Sequence, residues 1–240
     1  EYARGVMDRG YFDLAEAEFL RMRSDESLSA DQRVEGELGL SYLKAKVAIQ
    51  AYEGRRPGVD PAPILEKFAE AQKSFLAFFA AHAGHSQIIP AKFELGRLLQ
   101  NEGALLRSLI EESRDAVQLA EYKRLAEAAF NDSIEMYEEV IQKFQGNAEE
   151  EFTYSLARFW KGIAIYNKGL IYPEDDLARR STLGTAKTHW EAFIWDYDGY
   201  LMGAYGYMYM GLTHYALAEY NDALEYLRTA AGIDVEGDTE

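Results

Sequence analysis

Four glycines, Gly39, Gly96, Gly162 and Gly211, each stand in the middle of a stretch that otherwise favours helix. A glycine inside a helix costs about 1 kcal/mol relative to alanine. Four of them with matching flanks therefore mark places where a neighbouring helix must come close. The flanks do match: Leu38, Leu95, Lys161 and Met210 precede the glycines, and Tyr42, Leu99, Ile165 and His214 follow three residues later. The preceding stretches align as well. Phe75-Leu76-Ala77-Phe78-Phe79 begins 21 residues before Gly96, and Trp190-Glu191-Ala192-Phe193-Ile194 begins 21 residues before Gly211. Such periodic self-similarity is the mark of a helical repeat.

Punctuation between these stretches predicts the elements. Two short helices flank Gly10, the second with Leu14, Ala15, Glu18 or Phe19, and Met22 on one face at helical spacing. Ser29 or Asp31 caps a helix that runs to about Tyr52, and Glu53–Pro63, with three of the five prolines, is a loop. A helix follows over Ile64–His82, and Pro90 suits the first turn of the next. Ala91–Phe144 is helical with a break near Ser113–Arg114, and Gly146 has the place of a left-handed helix cap. Helices are expected over Glu149–Asn167 and from Glu174–Asp176 to Trp195, the latter interrupted at Gly184. A turn at Asp196–Gly199 leads to a final pair with its own turn near Ala218–Asn221.

The last pair resembles the tetratricopeptide repeat family. Tyr207, Met210, Gly211 and His214 on its first helix, then Tyr220, Ala223, Leu227 and Ala230 on its second, stand at the family's signature positions, with His214 and Leu227 as departures. Gly10, Phe12, Ala15 and Phe19 match the second half of such a unit. The glycine-to-glycine spacings are 57, 66 and 49 residues, against a family repeat of roughly 34, so helices are lengthened and loops inserted. The proline that usually closes a unit is missing from the last one. The resemblance implies an all-α, right-handed superhelical solenoid of about five antiparallel helix pairs over residues 1–240. Its units fall roughly at 1–28, 29–84, 85–146, 147–198 and 199–240. Long helices joined by aromatic-Ala-aromatic segments also look like the envelope proteins of bacteria that carry these repeats.

Several function classes are disfavoured. With no cysteine, disulfides, thiolate catalysis and cysteine-type zinc sites are excluded. With 41 acidic against 25 basic residues the net charge is −16, which repels phosphate backbones and anionic lipid, so nucleic acid is not an expected partner. No apolar run is long enough for a transmembrane segment. Opening at Glu1 fits a processed mature chain or an excised fragment, and the former, with the absence of cysteine, favours export to periplasm, cell surface or medium over the cytoplasm. There is no phosphate loop, nucleophile elbow or H-E-x-x-H motif. His82-x-x-His85 lacks a third ligand at recognisable spacing, so neither a metal nor any other cofactor is expected.

What remains is apolar. The resemblance implies a concave wall lined by Leu156, Phe159, Ile163 and Tyr166 and by Tyr205, Met208, Leu212 and Tyr215, all apolar or aromatic; the equivalent earlier positions (Arg33, Gly36, Leu40, Leu43; Pro90, Phe93, Arg97, Gln100) are mixed. Such a stripe is either a partner-binding surface or is covered by inserted segments such as Leu170–Gly184. Solenoid ends need polar caps. Here Tyr2, Val6 and Met7 at one end and Leu224, Ala231 and Ile233 at the other read as open, self-associating ends. The expectation is a non-enzymatic scaffold acting through protein–protein contacts, self-assembling head to tail into a homo-oligomer or filament. The alternatives are a monomeric adaptor that takes a helix or peptide in the C-terminal wall and, as a minor reading, an enzyme or metal protein with a site between helices.

Overall fold

The structure is a computed structural model and describes residues 2–232. Among these residues there are ten α-helices and one 3-10 turn. They are α1 (Tyr2–Asp8), α2 (Phe12–Ser24), α3 (Ala30–Glu53), α4 (Ala62–Ala81), α5 (Ile88–Glu112), α6 (Ala116–Phe144), the turn Ala148–Glu150, α7 (Glu151–Gly169), α8 (Leu177–Tyr197), α9 (Leu201–Ala216) and α10 (Tyr220–Gly232). Apart from the interruption expected at Gly184, the predicted breaks fall within a few residues of the observed ones because local chemistry fixes them. Ser29 and Gln32 form a reciprocal capping box at α3, and Asp115 and Asp176 accept from the first free N–H groups of α6 and α8. Gly10, Gly146 and Gly199 take the left-handed conformation that ends a helix without a Cβ clash.

The last turn departs from this rule. Glu219 N–H donates to His214 C=O (2.9 Å) and Ala218 N–H to Tyr215 C=O (3.0 Å), the paired bonds of a Schellman cap. The left-handed position is held by Ala218 at φ 62°, where glycine is the unstrained residue. Ala218→Gly is therefore expected to raise unfolding free energy by about 1 kcal/mol, read from urea denaturation; a loss of stability would show that Ala218 is not strained.

The chain divides into two compact units between Leu105 and Leu106, inside α5. In the first unit helices pack mainly on their sequence neighbours, with a further contact between α1 and α3. One core gathers Ala3, Met7, Ala15, Phe19, Leu40 and Leu43. Leu14 does not join it. The face of α2 that turns inward carries Ala15 and Phe19, and Leu14 is exposed, because α3 and α1 approach from one side only. Further along, Phe68, Ala71, Phe75 and Phe78 form the fully buried stripe of α4, at helical spacing.

In the second unit α6 to α10 likewise pack in sequence order, and α7 also touches α9. The core gathers Ile163, Ile165, Ala186, Trp190, Phe193 and Met210. α8 is one continuous helix: a Cβ at Gly184 would meet nothing within 4 Å, so this glycine faces open space and neither breaks the helix nor serves packing. The segment after α7 does not hang free either. Ile171 and Tyr172 are buried, Tyr172 donates to Glu127 of α6 (2.8 Å), and Arg179 reaches the carbonyls of Tyr172 and Ala216.

Three of the four glycines, Gly39, Gly162 and Gly211, mark close helix approach. A Cβ on Gly162 would lie 2.5 Å from the Trp190 ring of α8, and one on Gly211 2.7 Å from Leu227 of α10. Gly39 is pressed against the Phe19 ring, which belongs to the preceding helix α2 and not to the following one. The same sequence position thus serves opposite neighbours in the two units. The reason is visible in α3, where Gly36 also abuts the α2 backbone at Arg23 and turns that glycine-bearing face towards α2.

Candidate functional site

The two helices α7 and α9 bring the expected wall residues together, but as a partly self-filled surface. Phe159 is half-buried among Trp160, Trp190, Phe193, Tyr205 and Tyr209, with ring centroids 5.7–6.0 Å apart. Tyr209 also meets Tyr166 at 6.0 Å and stacks on Trp190 at 5.2 Å. Ile163 is buried and belongs to the core, because it lies on the side of α7 that meets α8 and α9. Leu156, Tyr166, Met208 and Leu212 are partly exposed, and only Tyr205 and Tyr215 are open to solvent to a larger degree. Tyr209 was missed by the sequence reading. It lies four residues from Tyr205, close to it on the same side of α9, and that spacing is the signal that could have found it.

Beneath this surface Arg158 is held in an aromatic box. Its guanidinium lies 5.4–5.7 Å from the ring centroids of Tyr154, Phe193 and Tyr197, and Nη1 is 2.6 Å from Asp196. Burial works against its charge, but the hydrogen bond to Asp196 and the surrounding groups outweigh it and hold the charged form more firmly than in water. The box fixes the start of α7 to the end of α8. Next to it His189 is half-buried, its Nε2 2.8 Å from the Arg158 carbonyl, and desolvation pulls its pKa down to about 4.

The two proposed ends differ. At the N-terminal end Tyr2 is exposed and Val6 half-buried, but Met7 is buried in the first core beside Ala3 and Phe19. Met7 is thus a core residue; the short α1 folds its apolar side back onto α2 and α3. At the C-terminal end Tyr220, Leu224 and Ala231 are exposed and share one stripe of α10, since positions 4 and 11 residues apart nearly superpose around a helix. Tyr215 extends that stripe from α9, its ring 5.6 Å from Tyr220. Ile233 lies outside the described residues.

His82 and His85 do not assemble a ligand set. His82 Nε2 is 3.1 Å from Glu37, and His85 Nδ1 accepts from the Gln87 N–H. Among the described residues, one group of three potential ligands converges: His214, Glu219 and Asp222. His214 Nδ1 lies 2.6 Å from Glu219 Oε2 and 3.7 Å from Asp222 Oδ2. Lys187 Nζ from α8 is 2.8 Å from the same Glu219 oxygen and, as its first cause, holds that carboxyl below the usual carboxylate range. The sequence reading saw His214 only as a departure from a repeat motif. The cluster needed the Schellman turn, which reverses the chain within three residues and was not legible without a glycine at 218.

No helix among the described residues is long and apolar enough to cross a membrane. No family model, curated protein or solved structure matches the chain.

Proposed function

We propose that this chain is a non-enzymatic helical-repeat scaffold, a divergent solenoid of the tetratricopeptide type, that works through protein–protein contacts and self-associates end to end. The observation that carries this reading is the distribution of exposed apolar side chains. The wall of α7 and α9 is largely occupied by its own aromatic contacts. The apolar side chains left open include Tyr215, Tyr220 and Leu224 in the last helix pair and Tyr2, Tyr11 and Leu14 in and between the first two helices, alongside Val117, Phe152, Leu177 and Trp195 on α6 to α8, which are more exposed still. In a repeat protein each unit buries its neighbour's apolar face, and an apolar face left open calls for further protein to cover it. A contact between unlike ends does not close on itself and propagates. Export from the cytoplasm, to a periplasm or cell surface, goes with this reading through the absence of cysteine.

Light scattering against concentration tests it. The native chain should grow in mass with concentration, and Tyr220→Lys with Leu224→Lys should lower the association constant at least tenfold while circular dichroism stays helical. Because each molecule carries −16, added salt should strengthen assembly by screening repulsion. A chain that stays monomeric to roughly millimolar, the weak end of measurable affinity, would sink self-assembly. The second reading, an adaptor for a helix or peptide, is favoured by Tyr205 and Tyr215, which stand open at the edge of the wall. It would be chosen if the protein remains monomeric and Tyr205→Lys with Tyr215→Lys abolishes capture of a partner.

A further inference from the structure

At one edge of the second unit α7 begins, α8 ends and α9 begins, and three contacts tie these segments together. Tyr197 of α8 donates to Glu151 of α7 at 3.2 Å, Arg158 of α7 lies 2.6 Å from Asp196 of α8, and Tyr207 of α9 donates to Asp198 at 3.3 Å. Next to these residues in the chain stand four apolar side chains that the fold leaves open: Phe152, Trp195, Tyr200 and Leu201. We propose that this edge docks a cationic amphipathic segment of another protein, with Trp195 as its anchor. The contact is separate from end-to-end association and does not rest on it.

Trp195 is 86% exposed, more than any other large apolar side chain among the described residues, and Phe152 and Tyr200 reach 74% and 68%. Single exposed apolar residues are ordinary, whereas a group of them marks an interaction surface. The core does not explain Trp195. The inward side of α8 carries Ala186, Trp190 and Phe193, and Trp195 lies about 200° round the helix from Phe193, on the side turned away from that core. An indole left in water forgoes the burial of about 150–250 Å². Trp and Tyr are also the residues that most often carry the energy of a protein contact.

Charge selects the occupant. Residues 145–158 and 191–201 carry six carboxylates, Glu149, Glu150, Glu151, Glu191, Asp196 and Asp198, against one cation, Arg158. Arg158 is taken by Asp196, and among the described residues the other five form no ion pair with Lys or Arg. The aromatic faces add to this preference, since a Lys or Arg over Trp or Tyr is attracted to the ring. The edge already accommodates one such cation from its own chain, as the Arg158 guanidinium lies 5.4–5.7 Å from the Tyr154, Phe193 and Tyr197 rings. A second copy brings a net charge of −16 and an anionic lipid surface brings phosphates, so both are repelled. A segment with Lys or Arg on one face and apolar side chains on the other matches the edge in both respects.

A labelled amphipathic helical peptide of leucine and lysine, followed by its fluorescence anisotropy and by the tryptophan emission of the full chain, tests the proposal. The peptide should bind with a dissociation constant on the order of 10 micromolar, shift the emission to the blue, and lose affinity as salt is added. Trp195→Phe should remove most of the shift. Trp195→Lys with Phe152→Lys should weaken binding at least tenfold; both side chains are exposed, so circular dichroism should stay unchanged. Val59→Lys with Leu76→Lys adds the same charge at other exposed positions and should leave the affinity within about twofold. Equal weakening by the two pairs, equal binding of the matching leucine–glutamate peptide, or no binding at roughly millimolar peptide overturns the proposal. A blue shift on phosphatidylcholine vesicles without one on the peptide overturns it in favour of a membrane, and loss of self-association in Trp195→Lys overturns it in favour of a second copy. Salt keeps this contact apart from end-to-end assembly, because it weakens the first and strengthens the second.

Discussion

Replacing Gly162 by alanine will destabilise the second unit by about 1–3 kcal/mol, the usual cost of overpacking a filled core. The new methyl would sit 2.5 Å from the Trp190 ring and 2.7 Å from His189. Neither can give easily. Trp190 is fully buried and meets Phe159, Phe193 and Tyr209, and His189 is fixed by its bond to the Arg158 carbonyl. Helix propensity alone predicts the opposite sign, because alanine is the better helix former by about 1 kcal/mol. Gly184 supplies the control. It lies inside α8 with nothing near its missing Cβ, so Gly184→Ala should stabilise by roughly 0.5–1 kcal/mol. Urea denaturation of the two variants separates packing from propensity. Equal shifts of the same sign would mean that α7 and α8 are not in close contact at Gly162.

The second large effect is a loss of stability in mild acid. His189 has a folded pKa of about 4, below the ordinary value of 6.5, with burial as the first cause. The unfolded chain takes up a proton at this residue near pH 6.5, and the folded chain does not until about pH 4. Stability is therefore full above pH 6.5 and falls as pH drops towards 4, because acid favours the state that binds the proton. The loss from this one group reaches about 3 kcal/mol by pH 4. The window lies mostly above the carboxylate range, so the early part of the acid limb reports the histidine. His189→Gln should be less stable at neutral pH and flatter between pH 6.5 and 4.5. An unchanged slope in that variant, or a titration of His189 near 6.5 by NMR, would refute the account.

Helix boundaries were the most legible part of the chain, since a boundary is decided by a few adjacent residues. Ser29 with Gln32, Asp115, Asp176, Gly10, Gly146 and Gly199 each carry the chemistry of a start or stop in their own side chain or lack of one. Which helix a face meets was less legible. Leu14 fits a helical stripe as well as Ala15 does, and only the approach of α3 on one side shows that it stays outside. Met7 reads as an exposed end of a chain, but the reversal at Gly10 folds it into the core. Gly184 reads as a breaker, though a lone glycine in a packed helix is tolerated at a modest cost.

The candidate sites divide in the same manner. The aromatic content of the wall could be listed from positions relative to Gly162 and Gly211, whereas its fill could not, because Phe159 and Tyr209 become neighbours only once α7 and α9 lie side by side. The group of His214, Glu219 and Asp222 depends on a left-handed alanine, a conformation that sequence rules assign to glycine.

By itself, then, the sequence determined an all-helical chain, most of the helix limits, and three glycines at which helices touch, Gly39, Gly162 and Gly211. These are local properties, set by caps, turns and the cost of a missing side chain. Tertiary structure alone decided which neighbour each glycine serves: Phe19 of the preceding helix at Gly39, and Trp190 and Leu227 of the following helices at Gly162 and Gly211. A glycine opens a gap on one side of a helix, and what fills that gap depends on the turn of the whole helix towards its neighbours, which no short stretch of residues encodes.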